Sequence, residues 1–183
     1  MSITATVNLG TESGERRVVI VCGGHSASTP ANVLNFTGLS MTGSPTIDIV
    51  YSTSVLDGFV GRCLAIGIAH YPTGTSGISV TANYSQSGAS SFVNKGILVY
   101  SVYGLSNNTP FTQGGFGTYN FPIGSIAIGA IQEGVAPTWT GLTEDAYQLI
   151  CSGASFESEL GESGRLITAN FSSLRRVVLW APN

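Results

Sequence analysis

Two histidines are the first places to look for catalysis in this chain of 183 residues. His25 lies in CGGHSAST, and His70 closes the apolar run of IAHYPTG. A nucleophile, a base and an orienting carboxylate can be assembled on paper from Ser26, His70 and Asp48. Acyl transfer needs those groups in one geometry, and the sequence has no GxSxG turn to present the serine. A serine-rich chain offers such triples by composition, so His70 is expected to be a hydrogen-bonded residue at a strand end. CGGH has glycines but neither the lysine of a phosphate loop nor the GxGxxG spacing of a dinucleotide fold. It reads as a turn after a strand.

Carboxylates are few. Glu144 and Asp145 are adjacent, and in a strand they would point to opposite faces, which argues against a paired acid and base. Asp48, Asp57, Glu144 and Asp145 offer oxygen ligands, but no DxDxDG-type loop gathers them for calcium. Cys22, Cys63 and Cys151 are odd in number, far apart and without metal-type spacing, so they are expected to be buried, reduced thiols. That fits synthesis in a reducing cytoplasm. No cofactor is implied, and the chain reads as non-enzymatic. Among the aromatic residues Trp139, Trp180, Tyr147, Tyr119 and Phe116, a carbohydrate platform competes with ordinary core anchoring. Trp180 ends an apolar strand and reads as an anchor, whereas Trp139, flanked by threonines, is a candidate interface or ligand contact.

The elements that must position these residues are strands. ISVTANY alternates Ile78, Val80, Ala82 and Tyr84 against Ser79, Thr81 and Asn83. ITATVNL gathers Ile3, Ala5, Val7 and Leu9. TIDIVYS turns Ile47, Ile49 and Tyr51 inward, and RLITANF gathers Ile167, Ala169 and Phe171. A second class is apolar on both faces. RCLAIGIAHY opposes Leu64, Ile66 and Ile68 to small residues, IGSIAIGAI repeats the device, and GILVYSVYGL is apolar twice. Such strands are central ones under covering loops, or they face another subunit. Their small-residue faces predict close approach by something bulky, an aromatic loop residue or a neighbouring chain. The one candidate helical turn follows Thr143. Asp57-Gly58 and Pro72 mark turns, and the aromatic, glycine-rich stretch from Leu105 to Phe121 reads as a long interface loop.

About ten short strands with essentially no helix predict an all-β, antiparallel β-sandwich, jelly-roll-like, with a closed barrel as the alternative. One domain over 1–183 is the default, since no linker divides the chain. Only 9% of residues are charged, against an ordinary ~25%, and the net charge is −3. A surface of Ser, Thr, Asn and Gly suits a subunit of a permanent assembly better than a free monomer. A pI near 5.2 gives no footprint for nucleic acid. The N-terminal MSITATVNLG lacks a signal-peptide pattern, and the longest apolar runs are strand-sized, so no membrane is expected.

Four of the seven Lys and Arg residues fall in two copies of RRVV, at Arg16-Arg17 and Arg175-Arg176. The repeat predicts that the first long strand and the last are antiparallel neighbours in one sheet, with the doublets at opposite rims. There they would pair with Glu12, Glu15, Glu157, Glu159 or Glu162, in this chain or in another subunit. The interface candidates are therefore Arg16, Arg17, Arg175, Arg176, Phe111, Phe116, Tyr119 and Trp139.

RRVVIVCGG, RCLAIGIAHYPTGTSGISVTANYS, GILVYSVYGLS, APTWTGLTEDAY and RRVVLWAPN together resemble β-sandwich structural proteins of tailed bacteriophage virions. The resemblance implies a capsid decoration (cement), head-fibre or tail-associated subunit located in the virion. Its partners would be copies of itself, with a trimer favoured, and other virion proteins such as the major capsid protein. A virion-borne module recognising a host glycan is the alternative.

Overall fold

The structure, a computed structural model, describes residues 1–27, 32–88, 92–133, 135–148, 151–170 and 174–182. Among these residues it is all strand and turn, with no helix. The first half contributes β1 (Ser2–Val7), β2 (Arg17–Ala27), β3 (Leu34–Met41), β4 (Asp48–Asp57), β5 (Val60–His70), β6 (Ile78–Gln86) and β7 (Phe92–Val102). The second contributes β8 (Thr112–Gly114), β9 (Gly117–Phe121), β10 (Ser125–Ile131), β11 (Trp139–Thr140), β12 (Thr143–Gln148), β13 (Cys151–Ser158), β14 (Glu162–Ala169) and β15 (Arg175–Trp180).

These fifteen strands form four antiparallel sheets, in the orders β1-β6-β3, β4-β5-β2-β7, β12-β13-β10-β15-β8 and β11-β14-β9. Three apolar cores define how the sheets stack. Val18, Ile20, Cys22 and Ala65 of the second sheet pack on Val80, Ala82 and Tyr84 of the first. The opposite face, with Val19, Val21, Leu64 and Ile66, packs on Ile128, Ala130, Val178 and Trp180 of the third. The far face of the third sheet, with Ala127, Ala154, Val177 and Leu179, meets Phe121 and Ile167 of the fourth. The molecule is a stack of four layers, the first two built before residue 103 and the last two after it.

This explains the strands that are apolar twice. Strand β5 is buried on both faces because the chain's own sheets cover both, not because a second subunit does. Its small face is small for a steric reason. A Cβ at Gly67 would lie 2.5 Å from Leu39 and 3.0 Å from Ile47. On β10, a Cβ at Gly129 would meet Leu142 at 2.5 Å and the Trp139 ring at 2.7 Å. The bulky neighbours anticipated for these faces are residues of the same chain.

Several local expectations meet a different outcome. The two RRVV segments are not neighbours, since β2 lies in the second sheet and β15 in the third. Hydrophobic patterning fixes which face a strand buries but not which strand lies beside it. The turn expected after Thr143 is β12, paired with β13 and interrupted by a bulge between Glu144 and Ala146. The expected long loop is shorter, because β8 and β9 lie inside it and join different sheets. A bulge between Ile49 and Tyr51 turns Ile49 outward, 42% exposed, whereas Tyr51 packs inward. The alternation of β6 and β1 is as expected. Asp57 pairs with Val60 across Gly58-Phe59, with Gly58 at φ 60°, as a tight hairpin turn requires. Phe171 lies outside the described residues.

Candidate functional site

The basic doublets come first, as the sites of most of the chain's cationic charge. Arg16 is fully buried, so it is not a rim charge available to a partner. A guanidinium has five N–H donors, and five carbonyls meet them. Nε donates to Tyr71 O at 2.8 Å, and Nη1 to Gly10 O at 3.3 Å and Thr11 O at 3.0 Å. Nη2 donates to Thr73 O at 2.7 Å and Gly74 O at 2.6 Å. The loop before β2 is thereby tied to the loop after β5. Glu12 does not pair with the arginine and instead accepts from the Gly74 N–H at 2.6 Å.

Arg17 points to the other side of the sheet. It donates to the carbonyls of Leu105 and Ser106 and to Asn108 Oδ1. Asn108 donates in turn to Asp48 Oδ2 at 2.7 Å, and its carbonyl accepts from the Trp180 indole at 3.0 Å. This network fastens the crossing from the second layer to the third. Arg175 lies over the Phe116 ring at 5.0 Å, and Arg176 over Tyr51 at 4.4 Å, with Nε to Gln113 at 3.3 Å. None of the four arginines forms an ion pair with the glutamates proposed for it. Glu162 is held by Arg165 at 2.6 Å, which lowers its pKa.

The residues considered for a triad are dispersed. Ser26 and Arg17 lie near opposite ends of β2, and Arg17 pairs with His70, which puts Ser26 and His70 roughly 30 Å apart at strand rise. Ser26 donates to Asn32 O, and His70 sits 2.6 Å from Gly14 O, a hydrogen-bonded strand-end histidine as expected. His25 stands opposite Arg62 across β2 and β5, and Arg62 reaches Glu133 at 3.8 Å between the second and third layers. Burial, then Arg62, lowers the His25 pKa, and Glu133 opposes them. The three cysteines are free and buried, and desolvation pushes the thiols of Cys22 and Cys63 up to about 12.

The aromatic candidates divide by depth. Phe111 is 43% exposed. Phe116 and Tyr119 are half-buried against the outer core, and the Tyr119 hydroxyl donates to Gly115 O. Trp139 is also half-buried. It covers Gly129, meets Phe116 edge-on at 5.8 Å and donates its indole N–H to Ser152 Oγ at 3.1 Å.

A concave site lies elsewhere, where three edge strands come together on one side. Strands β1, β7 and β12 each end their sheets. A groove of about 420 Å³ runs between them, floored by Ile97–Tyr100 and walled by Ala5–Val7 and by Asp145, Ala146 and Gln148. Tyr100 separates it from a second cleft of about 230 Å³, which reaches Ile126, Ile128 and Ser155–Glu157. The Tyr100 hydroxyl is buried close above Gly153 and beside the Asp145 carboxyl. Burial raises the Asp145 carboxyl above its ordinary range, with the hydroxyls of Ser155 and Tyr100 opposing the rise. Sequence reasoning weighed Asp145 as half of an acid pair and as an oxygen ligand for calcium, and Tyr100 as an apolar position. The bulge and the edge that make them neighbours have no sequence signature of their own. No family model matches the chain, and the comparisons with curated proteins and with solved structures found no match.

Proposed function

We propose that the chain is a non-enzymatic structural subunit of a phage particle, of the decoration, head-fibre or tail-associated type. In this reading it assembles with copies of itself, as a trimer, and with other virion proteins such as the major capsid protein. Covering of the two-faced strands by the chain's own sheets removes one argument for burial between subunits. One observation carries the reading in its place. Ile123 and Leu160, 67% and 87% exposed, occupy two turns joined by the bond from Gly124 N to Ser158 O at 2.6 Å. A Cβ at the neighbouring Gly161 would lie 3.0 Å from Ile123. Two aliphatic side chains presented together at one end of a charge-poor molecule are what docking to another protein would bury.

Native mass measurement across a dilution series tests this. The expected result is a trimer that Ile123→Asp with Leu160→Asp converts to a folded monomer. A wild-type protein that stays monomeric and is absent from purified particles overturns the reading. The alternative of a host-glycan module places recognition at the stretch 105–121 or at Trp139, whose ring is engaged within its own chain. Glycan-array binding abolished by Trp139→Ala would restore it.

A further inference from the structure

The groove beside β7 has a feature that neither the core nor the exposed turns require. Strand β7 pairs on one side with β2, and no strand among the described residues pairs with the other. The hydrogen bond from Ile97 N to Gln148 Oε1, at 3.4 Å, marks the backbone groups that face outward, those of Ile97, Val99 and Ser101. Side chains mark the two ends of this edge, and at one of them Gln148 stands where a strand would. Gln148 offers its amide oxygen to Ile97, and Ser101 Oγ donates to Leu9 O at 2.7 Å. Between them the edge at Val99 looks into the groove. Free edges attract extended chains, and here β1 and β12 confine such a chain to the plane of the second sheet.

We propose that this slot receives an extended segment of another protein as an added strand of the second sheet, carrying a basic side chain opposite Asp145. Strand addition supplies affinity through backbone hydrogen bonds and specificity through alternate side chains. Side chains on one face of the guest meet Ala5 and Val7, which suits small or apolar groups. Those on the other meet Asp145, Ala146 and Gln148. Among the described residues Asp145 forms no ion pair, burial raises its pKa despite the opposing hydroxyls of Ser155 and Tyr100, and Glu157 lies in the adjoining cleft. The Tyr100 hydroxyl, beside Asp145, supplies a further donor. A second copy of this chain fits poorly: of its Lys and Arg, Arg16 is enclosed, Lys95 lies on the edge strand β7 but donates to Ser2 O at 3.1 Å, and the rest lie in strands paired on both sides. The slot is independent of the exposed turns and holds whether or not the protein belongs to a virion.

The test is fluorescence anisotropy on the intact protein with labelled short peptides of alternating valine and threonine. One carries a central arginine, one a central glutamate, and a third is the arginine peptide with alternate amides N-methylated. The arginine peptide is expected to bind at least about tenfold more tightly than the glutamate peptide, and N-methylation should abolish binding. Asp145→Asn should erase the discrimination, and Gln148→Ala, which uncovers Ile97 N, should tighten binding. The N-methyl comparison uses the unaltered protein, so a variant that misfolds leaves the test intact. Absence of saturable binding overturns the proposal, as does binding indifferent to both N-methylation and Asp145→Asn. Self-association that competes with the arginine peptide overturns it too, by making a second copy the occupant.

Discussion

At the first RRVV the arginines turn toward backbone carbonyls, and at the second they lie across aromatic rings. Arg16 is enclosed with all five donors engaged, and Arg17 gathers the carbonyls of a crossing segment. Arg175 and Arg176 are half-exposed, over Phe116 and Tyr51. The two segments share residues and strand direction into a core, but differ in what surrounds the strand entry. Before β2 two loops must be closed over the sheet, and their carbonyls need donors. Before β15 the neighbours are side chains from β4 and the β8–β9 turn, which offer ring faces.

The sharpest way to break this comparison is at Arg16. Arg16→Met keeps much of the stem and leaves five carbonyls without their donors. The expected loss is about 3–5 kcal/mol, the range for breaking a buried, charge-assisted set, read from the urea midpoint. Arg16→Lys should recover only part of it, since an ammonium has three donors and no planar fork. A midpoint shift for Arg16→Met no larger than that of a surface substitution would show that the loops close without the arginine.

Arg17 comes next. Arg17→Ala should cost about 1–3 kcal/mol, because partly buried acceptors lose their donors while water replaces some of them. Its signature is local: Trp180 donates to the Asn108 carbonyl that Arg17 helps position, so tryptophan fluorescence should shift without loss of the far-ultraviolet strand signal. Asn108→Ala should give the same shift, and the double variant should fall short of the sum. Additive losses would mean that Arg17 and Asn108 fasten the crossing separately.

The all-β character was legible because burial alternates with period two. In β6 each of Ile78, Val80, Ala82 and Tyr84 is buried and each residue between is not. The small faces of β5 and β10 were legible as places of close approach, but Leu39, Leu142 and Trp139, which fill them, could not be assigned from the strands alone. Sheet order was not legible. A strand such as β2, apolar on both faces, fits any central position, so the repeated RRVV carried no information about neighbours. The groove was illegible for a related reason. It exists because β1, β7 and β12 all end their sheets on one side, and edge position is a property of the assembled stack.

The smallest effects belong to the second doublet, and they decide whether the contrast is one of kind or of burial alone. Arg175→Ala and Arg176→Ala should each cost about 0.5–1 kcal/mol, the scale of a partly exposed cation over a ring. A double-mutant cycle between Arg175 and Phe116 isolates that contact. Arg175→Lys should keep most of the coupling, because a ring face needs a cation but not five directed donors. Arg16→Lys should keep little, because carbonyls placed around a planar fork need the fork. If both lysine substitutions retained the same fraction of their arginine's contribution, depth alone would separate the two doublets and donor geometry would not.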